Sequence, residues 1–82
     1  MRRPKFSPGE QVEVRCHHRQ GAALAHDWLA GRVVQADQRM AAIAFDVDVF
    51  AANGWPIPDR ILWCAHGSPN LRRPAERPPD SA

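Results

Sequence analysis

Two Cys-x-His pairs, Cys16-x-His18 and Cys64-x-His66, are the densest concentration of potential ligands in the chain. An i, i+2 spacing on a strand puts both members of a pair on one face, and four such side chains would suit tetrahedral zinc if the two strands were neighbours. The tight two-residue knuckles of structural zinc sites are absent, and alternation assigns Cys16 and Cys64 to buried faces. Core cysteines beside surface histidines are the plainer reading. His17, His18, His26 and His66 with Asp27 or Asp59 are the residue types of a hydrolytic site, yet no spacing fixes a nucleophile beside a base. The expectation is a non-enzymatic chain without a cofactor. A further constellation is cationic: Arg2, Arg3 and Lys5 near one end, Arg72, Arg73 and Arg77 near the other. Either these converge on one pole of the domain and grip phosphate, or they serve only to keep it soluble.

The elements that must position these groups are bounded by length. A chain of 82 residues is one domain, and a domain of that size buries only roughly 60% of its unfolded surface, which leaves no room for a deep substrate cavity. Binding on a surface groove is what remains. Eight prolines cluster before Gly9, in the Pro56-Ile57-Pro58 loop and from Pro69 onward, so the sheet ladder must lie mainly in the proline-free interval from Gly9 to Trp55. Residues 1–5 read as a flexible basic N-terminus, 6–73 as the folded unit and 74–82 as a disordered, proline-rich tail. No basic region precedes a long apolar stretch and none approaches the roughly 20 apolar residues of a membrane span. With two cysteines read as free thiols, the expectation is a soluble, cytoplasmic protein that engages no membrane. Arg outnumbers Lys ten to one, the usage of a GC-rich bacterial genome.

Net charge is +2, but its distribution says more. Residues 6–71 hold five arginines and seven acids, a charge of −2, so the body of the domain repels phosphate on average and the basic ends are the separate route to nucleic acid.

Gln11 to His17 alternates Val12, Val14 and Cys16 with Glu13, Arg15 and His17, the pattern of a half-buried strand opened by the Pro8-Gly9 turn. Arg19 to Asp27 reads as a loop, because Ala22-Ala23-Leu24-Ala25 is too short for a stable helix. Trp28 to Asp37 is a second strand, joined by Asp37-Gln38-Arg39 to a third. That third strand, Met40 to Phe50, alternates Ala41, Ile43, Phe45, Val47 and Val49 inward with Ala42, Ala44, Asp46, Asp48 and Phe50 outward. After the Asn53-Gly54 loop comes a fourth strand, Asp59 to Ala65. Gly67 to Leu71 suits one turn of 3₁₀-helix that drops Leu71 into the barrel end. This is the outline of an all-β, SH3-like barrel of four to five antiparallel strands, with a short 3₁₀ turn near the C-terminus.

The order Val12-x-Val14, Trp28-x-x-Gly31-x-Val33, Phe45-x-Val47 and closing Asn70-Leu71-Arg72-Arg73-Pro74 resembles the Tudor and Agenet branch of the SH3-like fold over residues 6–74. The resemblance implies an aromatic pocket for a methylated cation, with Trp28 at the matching strand opening, Phe45, Phe50 and Trp55 as other walls and Asp46 or Asp48 as counter-charge. There is no tyrosine, and Phe45 shares a face with Ile43 and Val47, which assigns it to the core; Trp28 and Trp55 as ordinary barrel-end packing is the competing reading. The expected partner is a peptide or protein carrying cationic groups, met by Trp28, Asp46, Asp48, Phe50 and Trp55. The alternatives are a nucleic-acid-associated protein using Arg2, Arg3, Lys5, Arg72 and Arg73, and a zinc-stabilised accessory protein using Cys16, His18, Cys64 and His66.

Overall fold

A computed structural model describes residues 5–78. Arg2 and Arg3 lie outside the described residues, as do most of the expected flexible N-terminus and the last part of the tail. Six strands form one antiparallel sheet: β1 Gln11–Gln20, β2 Ala23–Ala36, β3 Met40–Ala44, β4 Val49–Phe50, β5 Ile61–Ala65 and β6 Leu71–Arg72. The spatial order is β4-β1-β2-β3-β5, and β6 also pairs with β1. The sheet curls into a nearly closed barrel, compatible with an SH3-like fold. Among the described residues no helix is long and apolar enough to cross a membrane.

β1 organises the barrel because both of its edges are used. One pairs with β2 along its whole length, from Gln11 opposite Arg32 to Gln20 opposite Ala23. The other is shared, with His17 and His18 opposite Phe50 and Val49 of β4, and Glu13 and Val14 opposite Arg72 and Leu71 of β6. The inward side chains Val12, Val14 and Cys16 meet Val33, Ala41, Ile43, Phe45, Val49, Leu71 and Phe6 in one core. Asp37 accepts hydrogen bonds from the Arg39 and Met40 amides, both at 2.8 Å, and so shapes the β2–β3 turn at the expected place. Those two donors hold its carboxyl below the usual aspartate range.

Several expectations need correction. The loop expected over Arg19 to Asp27 is instead the tip of a long β1–β2 hairpin, turned by Gly21 and Ala22 with Gly21 at φ +63°. A positive φ at the first of two turn residues matches the right-handed twist of the strands, and pairing along β1 supplies what the small residues lack in strand propensity. The third strand stops at Ala44. Asp46 and Val47 bend so that the chain crosses to the far edge of β1, where Val49 and Phe50 pair. Val47 is therefore exposed rather than in the core, while Phe50, expected on the outer face as a contact residue, is 9% exposed. Ala42, assigned outward, is buried as well, a small side chain between Gln35 and Trp63 in the register. Gly67 to Leu71 forms turns instead of a 3₁₀-helix, with Leu71 buried as expected; the 3₁₀ turns are Pro58–Arg60 and Pro74–Glu76.

Gly31 marks the closest approach in the barrel: a Cβ there would lie 2.7 Å from Ile43 Cγ2, 2.9 Å from Phe45 Cε1 and 3.0 Å from the Ala44 carbonyl oxygen. Gly31→Ala is expected to cost about 1–3 kcal/mol by overpacking, whereas Gly67→Ala, with open space around it, is near neutral. Ile43→Ala should cost about 2–4 kcal/mol and Val47→Ala less than about 0.5 kcal/mol. Urea unfolding of the four variants measures this, and equal losses at Ile43 and Val47 would contradict the burial pattern.

Candidate functional site

The two ends of the folded unit do meet, but carboxylates of the chain itself take up the charge there. Arg73 Nε donates to Glu10 Oε1 at 2.9 Å, its Nη2 donates to the Lys5 carbonyl at 3.2 Å, and its guanidinium lies 4.1 Å from the centroid of the Phe6 ring. Arg72 Nε donates to Glu13 Oε1 at 2.8 Å, and Arg77 Nη2 donates to Glu13 Oε2. Glu13 is the buried charged residue of the described chain, 7% exposed. The Arg77 hydrogen bond lowers its pKa most, burial works against this, and Arg72 adds to the lowering. Of the residues expected to hold phosphate, Arg72 and Arg73 are thus structural ion-pair partners. Lys5 is exposed at the same pole.

Alternation along the hairpin builds a different surface. Glu13, Arg15, His17 and Arg19 of β1 project outward beside Arg32, Ala30, Trp28, His26 and Leu24 of β2, since their neighbours Val12, Val14, Cys16 and Val33 point into the core. Arg72 of β6 and Phe50 of β4 complete the face: the Arg72 guanidinium sits 3.8 Å from the Trp28 ring centroid and that of Arg19 sits 5.4 Å from Phe50. His17 and His26, directly opposite in the register, stack with centroids 4.2 Å apart and planes 9° from parallel. Four arginines therefore share this face with one carboxylate, Glu13, which Arg72 and Arg77 already neutralise. Arg15, Arg19 and Arg32 make no ion pair among the described residues. Asp27, Asp37, Asp46, Asp48 and Asp59 are off the outward strand positions of this face, although Asp46 shares a hollow with Arg32, and Asp46 and Asp48 share another with Arg19.

The five residues expected to meet a cationic partner are divided. Trp28 is half-buried under Arg72, so the cation position on the observed side of its ring is filled from within the chain. Phe50 is buried beneath Arg19. Asp46 and Asp48 line a hollow with Arg19, Gly21, Val47 and Arg60, in which Arg60 Nε donates to Asp48 Oδ1 at 2.9 Å. Both Asp59 and Arg60 have positive φ, near 58° and 57°, a left-handed backbone uncommon outside glycine. Trp55 is 70% exposed on the following loop. A second hollow is lined by Gln11, Gly31, Arg32, Val34 and Asp46 among others.

The zinc quartet is not assembled. His18 pairs with Asp27 at 2.5 Å; His66 Nδ1 accepts from the Phe6 amide at 3.2 Å while its Nε2 lies 2.7 Å from the Asp37 carbonyl oxygen. Cys16 sits in the core and Cys64 packs against it as free thiols, with burial pushing Cys16 up to about 11 and Cys64 in the same direction. Among the described residues no group of three or more His, Cys, Asp and Glu is placed to hold a metal ion.

No family model, curated protein or solved structure matches the chain, so the reading of the site rests on its geometry. Because the folded-state pKa of Glu13 lies below its ordinary 4.5, its ion pairs stabilise the fold fully above that value and are lost as pH falls through the lower folded value. Glu13→Gln is expected to cost roughly 1–3 kcal/mol at neutral pH. It should also flatten the acid limb of the stability curve between about pH 5 and pH 3. Chemical unfolding across that range checks both, and an acid limb as steep as that of the wild type would refute the assignment.

Proposed function

We propose that the chain is a non-enzymatic binding module whose β1–β2 outer face engages single-stranded nucleic acid. The observation that carries this reading is a cluster of cations: Arg15, Arg19, Arg32 and Arg72 occupy outward strand positions on one sheet face, two of them over aromatic rings, around a stacked histidine pair. A guanidinium set over a ring loses little freedom on binding, and Arg19, over Phe50 and without an ion pair among the described residues, is open to phosphate; histidine and arginine planes offer surfaces on which a base can stack. Arg15 and Arg19 are about 13 Å apart along β1, so an extended strand can meet both. This reading moves the nucleic-acid surface from the basic ends to the hairpin.

A specific observation favours a second reading, a peptide or protein partner carrying cationic groups. Asp46 lines both hollows without an ion pair among the described residues, and Trp55 stands open nearby in sequence. The finer affinity to Tudor and Agenet domains, and action in the cytoplasm, belong with this reading. Its cation would be met by Asp46 and Trp55, since Trp28 already carries Arg72.

Fluorescence anisotropy with a labelled single-stranded oligonucleotide at low salt separates the two. Binding is expected, with Arg15→Gln and Arg19→Gln each weakening it roughly three- to ten-fold and lowering the salt slope by about 0.7. Asp46→Asn should leave affinity unchanged or raise it. Absence of binding at low salt, or binding indifferent to both arginines, would sink the nucleic-acid reading.

A further inference from the structure

We infer that the free edge of β5 is a self-complementary interface through which two copies of this chain pair about a two-fold axis. Among the described residues β5 ends the sheet path and has β3 on one side only. The phase of that ladder fixes which backbone groups face outward. The Phe45 amide donates to the Arg60 carbonyl and the His66 amide to the Arg39 carbonyl, both at 3.0 Å, in the same register that sets Met40 opposite Ala65 and Ala44 opposite Ile61. Residues 60, 62, 64 and 66 therefore direct their backbone groups to β3, and Ile61, Trp63 and Ala65 direct theirs to the open edge. Two of these outward groups are used within the chain: the Ile61 amide donates to the Pro58 carbonyl, and the Ala65 carbonyl accepts from the Ser68 amide at 2.9 Å.

What remains is the Ile61 carbonyl, the Trp63 amide and carbonyl, and the Ala65 amide. Read along the strand, this is acceptor, donor with acceptor, donor. A second copy laid antiparallel and centred on Trp63 presents the same series reversed. Each Trp63 amide then meets the Trp63 carbonyl of the other copy, and each Ala65 amide meets the other Ile61 carbonyl. All four donors and acceptors on each edge are satisfied, in four hydrogen bonds, with none left over. Nothing within Ile61–Ala65 opposes this, since the strand contains no proline, lysine or acid of the kind that natural edges use to prevent pairing. The flanks do not clash either: Arg60 falls opposite His66, and Asp59 opposite Gly67. The Trp63 side chain, 50% exposed, is brought beside its two-fold mate on the outer face, where the pair removes apolar area from water. An extended peptide added to the same edge is the competing occupant; any proline-free strand can supply the ladder bonds, but a second copy also covers each exposed Trp63 with its two-fold mate.

The test uses the full chain. Sedimentation equilibrium from about 1 µM to about 1 mM should show a monomer–dimer equilibrium. Over the same range, amide exchange at Trp63 and Ala65 should slow with concentration while Ile61, bonded within the chain, does not change. Trp63→Lys sets like charges against each other across the axis, and Ala65→Pro removes one edge donor from each copy; each should weaken dimerisation roughly ten-fold or more, with circular dichroism reporting retention of the sheet. A wild type that stays monomeric throughout overturns the inference, as does a dimer in which the Trp63 and Ala65 amides exchange as in the monomer. Those wild-type measurements decide the matter even if both variants unfold.

Discussion

Glu13 is a carboxylate on the outward side of a strand that the rest of the structure has nonetheless covered, and its burial constrains everything near it. A buried charge persists only when it is paired and hydrogen-bonded, so Arg72 and Arg77 must both come to it. Arg72 lies on β6, which has two residues, too few to hold an edge by ladder bonds alone. Its attachment rests on Leu71 in the core, on pairing with Glu13 and Val14, and on the ion pair. With Nε committed to Glu13, the Arg72 guanidinium is laid across Trp28, and the character of the whole hairpin face follows. A ring that alone would attract a foreign cation becomes a platform for a resident one.

The same economy of edges explains the path of the chain. The second side of β1 is divided between β4 near the hairpin and β6 near the chain ends. To reach its share, the chain must leave β3 after Ala44 and turn through Asp46 and Val47, which takes two carboxylates and an apolar residue out of any sheet. Gly31 allows Ile43 and Phe45 to approach the β2 backbone closely enough for the barrel to curl at that corner. The N-terminal segment closes the opposite pole, with Phe6 buried beside the His66 ring and under the Arg73 guanidinium.

Much of this was legible in residue order. The alternation of Val12, Val14 and Cys16, the strand from Trp28, the turn at Asp37 and the buried Leu71 are local signals, and the structure follows them. Two features were hidden because pairing overrides local preference. Ala23 to Ala25 lacks branched or aromatic side chains, yet an in-register partner on β1 makes it strand; Met40 to Phe50 alternates without interruption, yet topology breaks it. The charge asymmetry was hidden for a third reason. A sum over residues 6–71 has no direction, and direction appears only once the period of two is carried through the full hairpin.

Carried through, that period also separates the two surfaces of the molecule by chemistry. The hairpin face gathers four arginines at outward strand positions with one carboxylate there, Glu13, and the proposed anionic partner rests on that excess. The β5 edge leaves four backbone groups that no residue of the described chain answers, and its requirement is geometric, for donors and acceptors in a matching order. Side-chain charge is screened by salt and tolerant of register, whereas a strand edge is indifferent to salt and intolerant of a one-residue slip. Two contacts with such different physical dependence can be formed or lost independently, since β2 and β3 stand between β1 and β5 in the sheet order.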